Sequence, residues 1–160
     1  MPFTPFHFGP GALVKAGGGQ QFSFLIFAGS QILIDIEPLV RILRGDAVLH
    51  GPTHSLVGAA GIGLFAALIG RLAGPWMLRT LGLHVTSISW PVALASGIVG
   101  TWSHVGLDAI MHADMNPLWP FVPGNALLGA IPLEMLHWSC VAAGVAGGAM
   151  IGWRMRPGRD

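Results

Sequence analysis

Cysteine and charge are what this chain has least of. A single cysteine, Cys140, stands among 160 residues, so no disulfide can close within the chain and no thiolate cage can hold a metal. Any metal bound here must be held by nitrogen and oxygen. Asp, Glu, Lys and Arg together make up 9% of the residues, against about a quarter in an ordinary soluble domain. The 8 Lys and Arg nearly balance the 7 Asp and Glu, leaving a formal net charge of +1. There is no basic field of the kind a phosphate backbone requires, so nucleic acid is not an expected partner. What is present is apolar: 52% of residues are hydrophobic and the mean hydropathy is +0.65. That content excludes disorder. It predicts one membrane-embedded domain over residues 1–160, surrounded by lipid.

The segment Met1–Phe8 has no basic run before its apolar residues and does not read as a cleavable signal. Apolar stretches follow at 7–16, 22–36, 55–78, 90–112 and 126–153, where a full span needs about 20 residues. The first two are short, and Gly17-Gly18-Gly19-Gln20-Gln21 between them suits a tight reversal. The expected fold is therefore all-α: a polytopic helical bundle of three full spans plus a short N-terminal helical hairpin. Pro75, Pro91 and Pro132 are expected near helix ends, Pro38 is expected to stop a helix, and the Pro- and Gly-rich stretch 113–125 reads as a loop. In this topology one face carries Lys15, Arg71, Arg79, Arg154, Arg156 and Arg159 and the other only Arg41 and Arg44. The positive-inside rule puts the first face, with the C-terminus, in the cytoplasm.

The histidines and acids are distributed in the opposite sense. His7, Asp35, Glu37, His50, His54, His104, Asp108, His112, Asp114, Glu134 and His137 all fall near the arginine-poor face, leaving Asp46, His84 and Asp160 elsewhere. An ionisable group in a membrane segment costs about 2.5–3.5 kcal/mol even on the gentlest insertion scale, so such groups face a polar interior and mark function. His104-x-x-x-Asp108-x-x-x-His112 sets three candidate ligands on one helical face, and Glu134-x-x-His137 is another one-face pair. In His50-Gly51-Pro52-Thr53-His54 the glycine and proline make a turn that leads into a helix. His54 is then the stronger ligand, expected in the first helical turn, and His50 with His112 additional. Against these stand plainer readings: a hydrogen-bonded Glu134/His137 pair, and interfacial anchoring by Arg41 and Arg44. Convergence at one depth favours a bound metal. Mixed imidazole and carboxylate donors favour zinc, with manganese or iron as alternatives.

Several blocks carry a resemblance: Pro5-Phe6-His7-Phe8-Gly9-Pro10-Gly11, Leu33-Ile34-Asp35-Ile36-Glu37-Pro38, Gly51-Pro52-Thr53-His54-Ser55, and Ser103-His104-x-x-x-Asp108 with Asn116-Pro117-Leu118-Trp119-Pro120. Together, in this order, the chain resembles the LexA-binding, inner-membrane-associated metal-dependent hydrolases of bacteria. The resemblance implies a small polytopic protein of the bacterial inner membrane, with His7, Asp35, Glu37, His54, His104 and Asp108 as its matching residues. One departure stands out: where the family's third block reads His-Arg-x-x-Thr-His, His50 occupies the arginine position.

On that resemblance and the converging residues, the leading expectation is a hydrolase that activates water on a metal and cleaves a phosphoester of a lipid or lipid-linked substrate. His54, His104 and Asp108 would hold one metal, and His7 with Asp35 the same or a second one. Glu37 would be general base or bridging ligand, Glu134 and His137 general acid or supporting groups, and Arg41 and Arg44 the phosphate contacts. The competing expectations are a divalent metal or proton transporter, or a non-catalytic scaffold with a structural metal site.

Overall fold

The computed structural model describes residues 4–82 and 87–156; His84 and Asp160 lie outside them. Among the described residues there are helices and turns and no strand. Helix α1 (Thr4–Gly18) and helix α2 (Phe24–Ile34) form the N-terminal hairpin, joined by a short 3-10 turn at Gly19–Gln21. Gly19 takes the left-handed conformation that lets the chain reverse. The Lys15 ammonium closes the turn by donating to the carbonyls of Gly19 (2.7 Å) and Phe22 (2.8 Å), groups that a helix end otherwise leaves unpaired.

Helix α3 (Ile36–Arg44) follows α2 after one residue, Asp35. Pro38 has no N–H to give the carbonyl four residues back, so α2 must end there. The proline does not stop helix formation as expected, however: in the first turn of α3 the missing N–H costs nothing, and a helix continues through what the sequence reads as connecting chain. Gly45, left-handed, terminates it. Leu39 and Leu43 of α3 are exposed alongside Arg44.

A 3-10 turn at Pro52–His54 leads to helix α4 (Leu56–Thr80), capped by Ser55, whose hydroxyl accepts from the Gly58 N–H at 3.1 Å. His54 therefore lies just ahead of α4, not in its first turn. Pro75 sits inside α4, not at its end. Helix α5 (Trp90–Met111) begins with Pro91 in its first turn, as expected. Helix α6 (Leu133–Arg154) starts later than the apolar run from 126 suggests, with Pro132 as its cap.

Two helices, not three, are long and apolar enough to cross a bilayer: Leu56–Thr80 and Leu133–Arg154. At about 1.5 Å per residue both exceed a hydrocarbon core of about 30 Å. Only 22% and 17% of their apolar windows are buried within the protein, so what they present outward is a surface for lipid. Helix α5 has the length, but Ser96, Thr101, Ser103, His104 and Asp108, all along its sequence, dilute its hydropathy. It packs instead against α4 and α2, while α6 packs on α1.

Two close approaches fix this packing. A methyl group on Gly97 would collide with the Gly63 carbonyl, and one on Gly63 would stand 2.9 Å from the Gly97 carbonyl, so α4 and α5 meet backbone to backbone. Gly9 of α1 presses likewise on the Cys140 carbonyl of α6. Beside the polar centre, Ile34, Ala59, Val105, Ala109 and Met115 form a buried apolar cluster. The loop after α5 folds back over its end: Asn125 Nδ2 donates to the carbonyls of Ala109 (2.7 Å) and His112 (3.0 Å), and the Gly129 N–H donates to Ile110 (3.0 Å). Those caps satisfy carbonyls that the end of a helix leaves without intrahelical partners.

Candidate metal centre

Three separate stretches bring their ligand atoms together. Asp35 is set by the break between α2 and α3, His54 by the 3-10 turn ahead of α4, and His104 and Asp108 by successive turns of α5. Donor atoms of these four residues all lie within 4.8 Å of one another. His104 Nε2 is 3.2 Å from Asp35 Oδ1 and 3.1 Å from Asp108 Oδ2, and His54 Nε2 is 3.9 and 3.8 Å from the same two oxygens. The side chains of His54, His104 and Asp108 are fully buried and Asp35 is 18% exposed. Yet His54 Nε2, His104 Nε2 and both Asp108 oxygens make no hydrogen bond. Each such buried orphan costs about 1–3 kcal/mol. One cation at their common focus would satisfy them together.

The outer nitrogens explain why the inner ones are orphaned. His104 Nδ1 lies 2.7 Å from Gln31 Oε1, and the Gln31 amide is oriented by donating to the Gly100 carbonyl at 3.1 Å. An amide oxygen only accepts, so Nδ1 carries the proton, and it is Nε2 that would offer its lone pair to a cation at the centre. His54 is held in the same way. The Thr53 hydroxyl donates to Glu37 Oε2 in a very short hydrogen bond and accepts from His54 Nδ1 at 3.1 Å. Burial and the neighbouring imidazoles of His104 and His50 push His54 down to about 4, which keeps it neutral and able to ligate. Fixing the far nitrogen of a ligating imidazole through an oxygen acceptor is how proteins orient metal-binding histidines.

Each remaining candidate has a definite place. His7 stands behind the centre, Nδ1 3.1 Å from His104 Nδ1 and Nε2 3.4 Å from Asp108 Oδ1; burial foremost pushes it too to about 4. Both oxygens of Glu37 are engaged: Oε1 accepts from Arg41 Nε (2.9 Å) and Nη2 (2.8 Å), and Oε2 from the Thr53 hydroxyl and N–H (3.0 Å). Burial would raise the Glu37 carboxyl, but these hydrogen bonds and the guanidinium charge outweigh it and hold it below its ordinary value. Arg41 is thus committed to Glu37, whereas Arg44 is exposed. His50 and His112 lie beside Asp108, forming a second group of ligand atoms within 4.8 Å. Glu134 and His137 are not gathered with either group; they line an open groove of about 680 Å³ with Phe6, Leu133, Trp138 and Val141.

Gln31, Thr53 and Asp114 are functional partners that ligand spacing does not single out. A signal existed for Gln31: an amide inside the 11-residue apolar helix α2, fully buried, must find partners, and it lies one turn before Asp35.

The family model described as YdjM inner membrane protein matches residues 18–158. No curated protein and no solved structure matches the chain. The chain belongs to the YdjM inner membrane protein family, and it is a membrane protein.

Proposed function

We propose that this YdjM-family protein is a metal-dependent hydrolase of the bacterial inner membrane, acting on a phosphoester of a lipid or lipid-linked substrate. The observation that carries the reading is the buried convergence of Asp35, His54, His104 and Asp108 with orphaned inner atoms. Two imidazoles and two carboxylates suit zinc, with manganese or iron as alternatives. When bound, such a cation makes water nucleophilic near neutral pH and polarises a phosphoryl oxygen.

The chain's own groups supply position and access. Gln31 and Thr53 fix the tautomers of His104 and His54, and His7 braces Asp108. Glu37, with both oxygens occupied, acts through Thr53 on His54 and does not serve as the general base. Asp35 is the most exposed of the four and is the one water reaches first. Support for an amphiphilic substrate comes from the groove beside α6. Its residues Phe6 and His137 also line a void of about 10 Å³ that reaches His7, room for about one water. An acyl or polyprenyl chain lies in the groove, with Glu134 and His137 near its head as proton donors and the exposed Arg44 available to the phosphate.

The test is hydrolysis by the metal-loaded, detergent-purified chain across a panel of phospholipids and polyprenyl phosphates. Phosphate or headgroup release that needs the metal and falls at least about 100-fold in His54→Ala supports the reading. Folded, metal-replete protein that cleaves none of them overturns it and leaves the cation as a structural clasp.

A further inference from the structure

The centre does not account for all of the orphaned atoms. His50 Nε2 and His112 Nε2 are also buried without a hydrogen bond, and with one Asp108 oxygen they lie within 4.8 Å of one another. We infer that His50, His112 and Asp108 form a second metal site, adjoining the first, in which the Asp108 carboxylate bridges two divalent cations.

The His50 side chain is 2% exposed and its Nε2 stands 3.8 Å from Asp108 Oδ2. Its far nitrogen, Nδ1, is 2.8 Å from Asp114 Oδ1, while Asp114 Oδ2 accepts from the N–H groups of Leu49 (2.8 Å) and His50 (3.1 Å). A carboxylate only accepts, so the His50 Nδ1 proton points at Asp114 and the lone pair on Nε2 points at Asp108. This is the arrangement seen at His54 and His104: an oxygen acceptor behind the ring and an unpartnered nitrogen in front.

The His112 ring stacks on that of His50, with centroids 4.4 Å apart and planes inclined by 30°. His112 Nε2, like His50 Nε2 and the Asp108 oxygens, has no hydrogen-bond partner. With its proton on Nδ1, His112 turns a second lone pair toward the carboxylate, and the three groups repel unless a cation joins them. Asp108 is the only ligand shared by both groups, and both its oxygens are orphaned, which is what a bridging carboxylate needs. Paired divalent ions held about 3.5–4 Å apart are a recurrent device for phosphoester cleavage, one cation for the attacking and one for the leaving oxygen.

The inference rests on the hydrolase reading only through Asp108, and the two fail separately. Metal content is measured by plasma mass spectrometry on the full, detergent-purified chain, with Mn(II)-loaded samples followed by electron paramagnetic resonance. The expected result is two equivalents in the wild type, one in His112→Ala and in His50→Ala, and none in Asp108→Ala. The Mn(II) spectrum should be exchange-coupled in the wild type and revert to an isolated six-line signal in His112→Ala. Because His50 is clamped to Asp114 and its loss also removes that clamp from the turn, the partly exposed His112 is the deciding position. One equivalent in the wild type, or two retained in His112→Ala, overturns the second site and leaves the first intact. No metal in folded wild type overturns both.

Discussion

The Thr53 hydroxyl joins Glu37 to His54, donating to the carboxylate and accepting from the imidazole at 3.1 Å. A side chain between two candidate ligands thereby decides which of them faces the centre. Glu37 is drawn away from the centre, and His54 is turned into it. Replacing the hydroxyl by a methyl group tests this: Thr53→Val should weaken metal affinity by about 10- to 100-fold, whereas Thr53→Ser should keep it. Competition against a chromophoric chelator reads the difference.

Gln31 has the same task for His104, from a fully buried position. Gln31→Leu removes the acceptor for the His104 Nδ1 proton and strands a buried donor, a loss of about 1–3 kcal/mol. Thermal unfolding of the metal-loaded protein in detergent should show a lower Tm than the wild type.

Gly51 supports the Glu37 arrangement from behind. A methyl group there would run into the Glu37 carboxylate and the Arg41 guanidinium, so Gly51→Ala should displace Glu37 and lower metal affinity through Thr53. Gly61, with open space around it, is the control. Gly61→Ala should leave metal binding unchanged and favour the helix by about 0.5–1 kcal/mol.

Removal of metal should destabilise the fold, because it exposes the mutual repulsion of buried Asp108 and the imidazole lone pairs. A ligand at about 100 times its Kd stabilises by about 2.7 kcal/mol. Excess chelator should therefore lower the Tm of the wild type and leave that of Asp108→Ala unchanged, as measured by intrinsic fluorescence of the six tryptophans.

The polar centre is more legible in the sequence than the membrane topology is. His104 and Asp108 are four apart on one helix, a separation that fixes their proximity whatever the rest of the chain does. The reversal at Gly17–Gly19 and the loop around Asn116-Pro117 follow from residues with few conformational alternatives. The third full span fails for a quantitative reason: α5 has the length, but the groups that make it the hub of the site lower its hydropathy. The early start expected for α6 fails because apolar composition at 126–132 does not specify helix. Gly129 is left-handed there and its N–H is used on the end of α5. The three oxygen acceptors behind the histidines, Gln31, Thr53 and Asp114, come from chain segments far from the rings of His104 and His50. Only Thr53 is a sequence neighbour of its histidine, and its role depends on Glu37, sixteen residues away.

Helix α3 carries a consequence for where the chemistry happens. Its exposed leucines and arginine suit a helix lying flat at the boundary between headgroups and acyl chains, and its first residue, Ile36, is joined directly to Asp35. Adjacent Cα atoms are about 3.8 Å apart, so the waterline of α3 is also the waterline of the centre. Whatever α3 rests on is therefore one residue away from the Asp35 carboxylate.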